Sequence, residues 1–315
     1  MKKYLVRRIL SVIPVLLIMS FIVFMLIHMI PGDPARVILG DEATAEAVAE
    51  LRRAMGLDDP LLVQYARWLG RILSGDLGRS LFMKGTMTSI IASHMIPTLQ
   101  LTLFTMIIAV AVALPLGVLA AEKKRTVWDQ LISAFAMQGI SIPSFLLSLF
   151  LILGLSVKLR WLPPAGYRPL SSGLLMNLRY LALSSLAMGL VEAGLLIRMT
   201  RSSLLDVLAS DSVRMVRAKG VSEFRVLTKH ALKNASLPIL TALGQTFVAV
   251  LSSAAVAETI FNIPGLGQLI VSSVSRRDYE VIQALILVVA LVNVLTYLAV
   301  DLLYRCIDPR ISLGK

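Results

Sequence analysis

The sequence predicts an all-α polytopic membrane protein with six transmembrane helices and both termini on the cytoplasmic side. Three observations carry that prediction. The chain of 315 residues is 57% hydrophobic, with a mean hydropathy of +0.80, above the roughly 45–50% apolar content of soluble domains. Six runs, 9–30, 99–121, 131–157, 181–197, 238–257 and 281–300, approach the roughly twenty apolar residues that cross a hydrocarbon core of ~30 Å. Lys and Arg also fall unevenly. Segments on one side hold Lys2, Lys3, Arg7 and Arg8, then Lys123, Lys124 and Arg125, then a cluster from Arg198 to Lys233, then Arg305, Arg310 and Lys315. The two short loops on the other side hold Lys158, Arg160, Arg168, Arg179, Arg276 and Arg277. Positive charge marks the cytoplasmic side, so the richer side is inside.

The apolar runs must be helices, because lipid offers backbone N–H and C=O groups no other partner. The strands of about ten residues with alternating polarity that a β-barrel needs are absent from the sequence. The first run has the basic start of a signal peptide, but its apolar part exceeds the usual 7–15 residues. Ile30-Pro31-Gly32-Asp33 is also no small-residue cleavage site. It reads as a retained helix, residues 1–30 forming the cytoplasmic start and first span.

Residues 31–96 form an outer segment with soluble-looking patterning. Within 42–55, Ala47, Val48, Leu51 and Met55 share one helical face, and Gly56 suits the stop. Asp59-Pro60 reads as the N-cap and first position of a second helix through Leu73, closed by Gly75-Asp76-Leu77-Gly78. This segment is either a cap on the outer mouth or a docking element for whatever delivers substrate.

Residues 97–315 carry the remaining five spans. Pro115 and Pro143 are expected kinks. The fourth span is the shortest and carries Glu192, the one acid well inside a span. An intramembrane charge points to function by default; Glu192 either lines a pathway or serves structure, pairing with Arg198 or meeting another subunit. Glu258 and Asp301 lie near span ends, where water is expected to reach them. Ser252-Ser253-Ala254-Ala255 in the fifth span either lets helices approach closely or offers Ser252 and Ser253 as a polar lining. Cys306 is the sole cysteine and reads as a small apolar filler. His28 lies near Met25 and Met29, but no second His converges on that helix, so packing is favoured over a nickel relay and no metal site is assigned.

The inner loop 201–234 is too basic for lipid and too patterned for a connector. Residues 200–208 read as helical; Asp211-Ser212 can cap a short helix to Lys219, and Gly220 can end it. A further segment runs from Glu223 to Leu232, and Asn234 and Pro238 mark entry to the fifth span. Short helices parted by glycine make a rigid knob carrying Arg214, Arg217 and Lys219, suited to a protein partner. The net charge of +12 is explained by topology and by attraction to the anionic bilayer surface, not by nucleic-acid binding.

Arg217-Ala218-Lys219-Gly220 followed by His230-Ala231-Leu232-Lys233-Asn234-Ala235-Ser236-Leu237-Pro238 resembles the EAA loop of ABC importer permeases. Glu258-Thr259-Ile260-Phe261-Asn262-Ile263-Pro264-Gly265-Leu266-Gly267, with Arg277-Asp278-Tyr279, resembles the next segment of the dipeptide, oligopeptide and nickel branch. Gly56-Leu57-Asp58-Asp59-Pro60-Leu61, Gln64-Tyr65, Trp68-Leu69 and Gly75-Asp76-Leu77-Gly78 are similar to the outer loop of that branch's B-type subunit, as is the closing Asp308-Pro309-Arg310-Ile311. Arg214-Met215-Val216 stands where the general pattern has Glu-Ala-Ala.

The resemblance implies a type I importer permease fold working beside a C-type permease partner, two ATP-binding subunits and an extracytoplasmic binding protein in a bacterial or archaeal cytoplasmic membrane. It also implies that the loop around Gly220 is a coupling helix seated on an ATPase, involving Arg214, Arg217, Ala218, Lys219, Gly220 and Pro238. The chain contains no Gly-x-x-x-x-Gly-Lys-[Ser/Thr] phosphate loop, so ATP-Mg is expected on partner subunits and no cofactor or catalysis on this one. Peptide import is the expected function, with nickel chelates or glutathione as alternatives. A stand-alone secondary transporter calls for more ionisable residues in the spans than Glu192. A membrane enzyme calls for a clustered nucleophile, base or metal set, and the sequence offers none.

Overall fold

A computed structural model describes residues 2–29, 33–40, 43–80 and 82–307, without the side chains of 2–9, 26, 27, 29, 34, 37, 38 and 304–307. The expectations for Ile30–Gly32, Glu42, the Cys306 side chain and the closing 308–311 lie outside the described residues. Contacts divide the chain into one unit of residues 1–94 with 269–295 and another of 95–268 with 296–315.

All regular structure among the described residues is helical. In the first unit, α1 (Lys2–Met29) is followed by α2 (Pro34–Leu39), α3 (Ala45–Met55) and α4 (Leu61–Leu73). Thr44 caps α3 through its hydroxyl and Gly56 ends it in the left-handed region at φ 67°, where a Cβ is disfavoured. Pro60, expected as the first helical residue, is the N-cap, so α4 starts one position later than the sequence suggests. Tyr65 and Trp68 on α4 pack on Phe24 of α1, with ring centroids 5.5 and 5.7 Å apart. His28 meets the Phe24 carbonyl and the Gln64 side chain.

The second unit is built around α8 (Leu174–Leu208). α5 (Met87–Glu122), α6 (Val127–Ser141), α7 (Ser144–Leu151) with a π-helical turn Ile152–Lys158, and α12 (Ser236–Ile260) complete its spans. The third span bends at Pro143, where the sequence predicts a kink, and the bend is a full break. Ile142, forced out of the α region by Pro143, sits at ψ 121°, and the two halves bend by 103°. Pro115, in contrast, lies inside an unbroken α5. α13 (Leu266–Arg276) and α14 (Tyr279–Ile307) close the chain.

The fourth span, shortest as an apolar run, proves to be the most enclosed. Of its most apolar stretch 61% is buried, against 28% for α5 and for α14. A helix wrapped by other helices need not be apolar all round, so Asn177, Ser184, Ser185, Thr200 and Ser203 are tolerated there, all buried. Small residues bring its neighbours close. A Cβ added at Gly139 of α6 would sit 3.1 Å from the Leu190 carbonyl, and one at Gly117 of α5 the same distance from the Ile197 carbonyl. At the N-terminal end of α6, Asp129 receives Arg201 of α8 in a two-pronged ion pair at 2.6 and 2.8 Å. Arg201 is therefore a structural tie inside α8, not the first charge of a loop.

Candidate functional site

α8 ends at Leu208, and Ser210 turns the chain, its hydroxyl donating to the Val207 carbonyl at 2.6 Å. α9 (Asp211–Ala218) follows. The expected cap residue slips by one: Ser210 holds the extended N-cap conformation and Asp211 begins the helix. Val213 is the buried anchor of α9, which leaves Arg214, Met215, Arg217, Ala218 and Lys219 facing outward, all exposed. Lys219 closes the helix. Gly220, at φ 76°, turns back, its N–H donating to the Arg217 carbonyl at 2.9 Å.

The return arm runs through α10 (Glu223–Arg225), a π-helical turn Val226–Ala231 and α11 (Leu232–Asn234). Val226, Leu227, Ala231 and Ala235 anchor it, all buried. Ala231, Ala235 and Ile239 join Ala121 of α5 and Leu204 of α8 in one apolar cluster. Pro238 sits in the first turn of α12, where its missing N–H costs no helical bond, and it is exposed.

The three basic residues differ in state. Arg217 is drawn across the turn onto Glu223, donating from Nε at 3.1 Å and from Nη2 to the second oxygen. That hydrogen-bonded pairing holds the Glu223 carboxyl below the usual range and raises the Arg217 guanidinium. Arg214 reaches Asp211 on its own helix at 3.2 Å and stays 72% exposed. Lys219 is exposed. Two apolar side chains that sequence reasoning did not rate as surface, Met215 and Phe224, are 62% and 76% exposed. The knob is held from behind by Val213, Val226, Leu227, Ala231 and Ala235 and presents Met215 and Phe224 outward among basic groups, an exposed apolar pair of the kind that protein contacts cover.

The other expected residues are dispersed. Glu192 is half-buried and, among the described residues, forms no hydrogen bond or ion pair; its pairing with Arg198 is not made. Ser252 is exposed, and Ser253 bonds back to the Val250 carbonyl at 3.2 Å. The close approach expected of this run occurs at Ala255, against a loop glycine: a Cβ on Gly267 would collide with the Ala255 backbone.

Glu258 corrects the sequence reading. It is fully buried, not bathed in water at a span end. Its carboxylate accepts from Thr98 Oγ1 at 2.5 Å and from the Gln268 N–H at 2.9 Å, while Thr98 Oγ1 accepts from the Leu266 N–H at 2.8 Å. A Cβ on Gly265 would strike that carboxylate. The signal was present as Gly265 and Gly267 seven and nine residues after the acid: the glycines clear room for it to clasp the chain.

Long apolar helices joined by an exposed helical knob define the class as a polytopic membrane protein. Residues 113–313 match the family described as binding-protein-dependent transport system inner membrane component, and 1–109 match its N-terminal membrane-component family. The chain belongs to this family: it is a permease subunit of an ABC importer, of the peptide and nickel branch, resident in the cytoplasmic membrane. It is 43% identical over 311 residues, 99% of both chains, to the glutathione transport system permease protein GsiC of Salmonella paratyphi A. It is 38% identical over 308 residues, 98% of both, to the protein named probable peptide ABC transporter permease protein y4tP of Sinorhizobium fredii. Among solved structures it resembles a chain of the MetNI methionine ABC transporter in inward-facing conformations, with TM-score 0.59 and 19% identity, covering 72% of this chain and 100% of that one. It also resembles a chain of an amino acid ABC transporter solved with histidines, with TM-score 0.51 and 18% identity, covering 69% and 94%. As a permease it works with other subunits of such a transporter.

Proposed function

We propose that this chain is the B-type half of the translocation pathway for short peptides, paired with a C-type permease, driven by two separate ATP-binding subunits and fed by an extracytoplasmic binding protein. The observation that carries the peptide reading is the pair of relatives named for glutathione and for peptide, each matched over nearly the whole chain. Glutathione, itself a tripeptide, is the variant the first relative favours. ATP hydrolysis belongs to the partner subunits, since this sequence offers no phosphate-cradling loop.

In this reading α9 and Gly220 are the coupling element. Met215 and Phe224 enter a cleft of an ATPase, and Lys219 and Arg214 face acids at its rim. The Arg217–Glu223 clasp and the buried Val213 and Val226 keep the knob rigid, so motion of the ATPase pair reaches α8 and α12 instead of being absorbed locally. Nucleotide binding then biases an equilibrium between inward- and outward-facing spans by binding one state better. Glu192, which forms no hydrogen bond or ion pair among the described residues, lines the pathway or meets the second permease.

The test is substrate-stimulated ATP hydrolysis by the co-purified complex in lipid, with the cognate receptor, over dipeptides, longer peptides, glutathione and nickel chelates. Stimulation by peptides or glutathione supports the reading. Stimulation by nickel chelates alone replaces the cargo, and transport by this chain without an ATPase overturns the importer mechanism.

A further inference from the structure

α4 is 13 residues long, about 20 Å at ~1.5 Å per residue, too short to cross a hydrocarbon core of ~30 Å. It nevertheless carries an apolar stripe left largely open. Leu62, Ala66, Leu69 and Leu73 recur at the spacing of one helical face. Leu62 and Leu73, at the two ends of the stripe, are 74% and 79% exposed, and no residue of α4 is buried. The other side is polar. There Arg67 pairs with Asp59 at 2.7 Å and Arg71 with Asp76 at 3.2 Å.

Contacts with α1 set the depth of this helix. α1 is apolar from Leu10 to Met25 and ends at Met29, on the outer side by the charge distribution. Phe24 meets Tyr65 and Trp68 of α4 with ring centroids 5.5 and 5.7 Å apart. Phe24 precedes Met29 by five residues, about 7.5 Å along the helix axis. The Tyr65 hydroxyl reaches deeper, sharing a hydrogen bond with the Ser20 hydroxyl at 2.8 Å, and its ring stands edge-on to Phe21 at 5.3 Å. Ile18, Phe21 and Ile22 are exposed apolar side chains on α1. Through Tyr65 the stripe of α4 therefore continues an apolar face that α1 turns to lipid.

An amphipathic helix lying in the membrane interface buries its apolar side by roughly 5–10 Å, and Tyr and Trp favour that level. A water-soluble partner would have to enter the bilayer to cover a face at this depth. We propose that α4 lies in the plane of the outer leaflet, with Leu62, Ala66, Leu69 and Leu73 in the acyl boundary and Arg67 toward water, so that the partner of this face is the bilayer itself. The inference stands apart from the peptide reading; it uses the membrane residence of the chain and the contacts of α1 with α4.

The test is spin-label accessibility in the assembled complex reconstituted in lipid. Cys306→Ser removes the native cysteine, and single labels are placed at Leu62→Cys, Leu73→Cys and, as the water-facing control, Arg67→Cys. The relaxing agents are oxygen, which concentrates in lipid, and chromium oxalate, which stays in water. Labels at 62 and 73 are expected to show an oxygen-to-chromium collision ratio several-fold above that at 67. If 62 and 73 are as open to chromium oxalate as 67, α4 lies in water and the proposal is overturned. Shielding of 62 and 73 from both agents overturns it as well, because a protein then covers the stripe. A high ratio at only one of the two ends contradicts the in-plane placement.

Discussion

Gly220 offers the sharpest perturbation, because the structure separates backbone from side-chain effects there. The residue sits at φ 76° with open space where a Cβ would lie: nothing is within 4 Å. Gly220→Ala therefore adds no clash and costs only left-handed strain, about 1–2 kcal/mol. Gly220→Asn costs less, since Asn tolerates this region. Gly220→Pro is of another order. Proline holds φ near −65°, about 140° away, and removes the N–H that donates to the Arg217 carbonyl at 2.9 Å, a further ~0.5–1.5 kcal/mol. The turn must be rebuilt, taking the Arg217–Glu223 clasp with it. The assay is ATP-driven uptake in proteoliposomes, with membrane insertion and recovery of the second permease measured in parallel. Asn is expected near wild type, Ala within about tenfold, since 1.4 kcal/mol is a factor of ten, and Pro without uptake though still inserted. Normal transport by the Pro variant refutes the loop assignment. An Ala variant as damaged as Pro refutes the conformational argument and shows that position 220 touches a partner.

The Asp129–Arg201 pair predicts a double-mutant result: Asp129→Leu or Arg201→Met alone lowers stability by about 3–5 kcal/mol by stranding a charge, and the two together recover most of it, read as thermal aggregation midpoints in detergent. Glu258→Leu removes the carboxylate that accepts from the Thr98 hydroxyl and the Gln268 N–H, stranding that N–H, and is expected to cost about 1–3 kcal/mol or more, by the same readout; an unchanged midpoint contradicts the clasp. The Arg217–Glu223 pair lowers the folded-state value of a carboxylate, so its contribution is present above about pH 4.5 and fades only as pH falls further. Glu223→Gln should then cost no more than about 1 kcal/mol, both groups being exposed, and coupled ATP hydrolysis should show no titration from this pair between pH 6 and 8. A reporter fused after Ser74 should read as external.

Much of the architecture was legible because lipid restricts the choices. The six apolar runs foretell α1, α5, the α6–α7 pair, α8, α12 and α14, and Gly56 and Gly220 mark the turns where they occur. What stayed hidden depends on partners distant in sequence. Nothing near Glu258 says that Thr98, 160 residues away, will donate to it. Arg201 looks like one more cytoplasmic charge until α6 brings Asp129 to it. The centrality of α8 was masked by its own polarity, since enclosure by other helices removes the need for apolar residues. The knob's basic residues were visible, yet Met215 and Phe224 were not: an apolar residue on a short helix reads as buried unless the unfilled partner face is known.

The central claim is that the knob at Gly220 seats on an ATPase, and the most direct measurement is a site-specific cross-link. With Cys306, the only native cysteine, replaced by serine, Met215→Cys is paired with single cysteines along the ATPase cleft in the assembled complex. The account predicts a disulfide to the ATPase whose yield changes between the nucleotide-free and ATP-bound states, with uptake lost on cross-linking and restored by reduction. A position 215 that never cross-links to the ATPase, while the complex continues to couple hydrolysis to uptake, contradicts it.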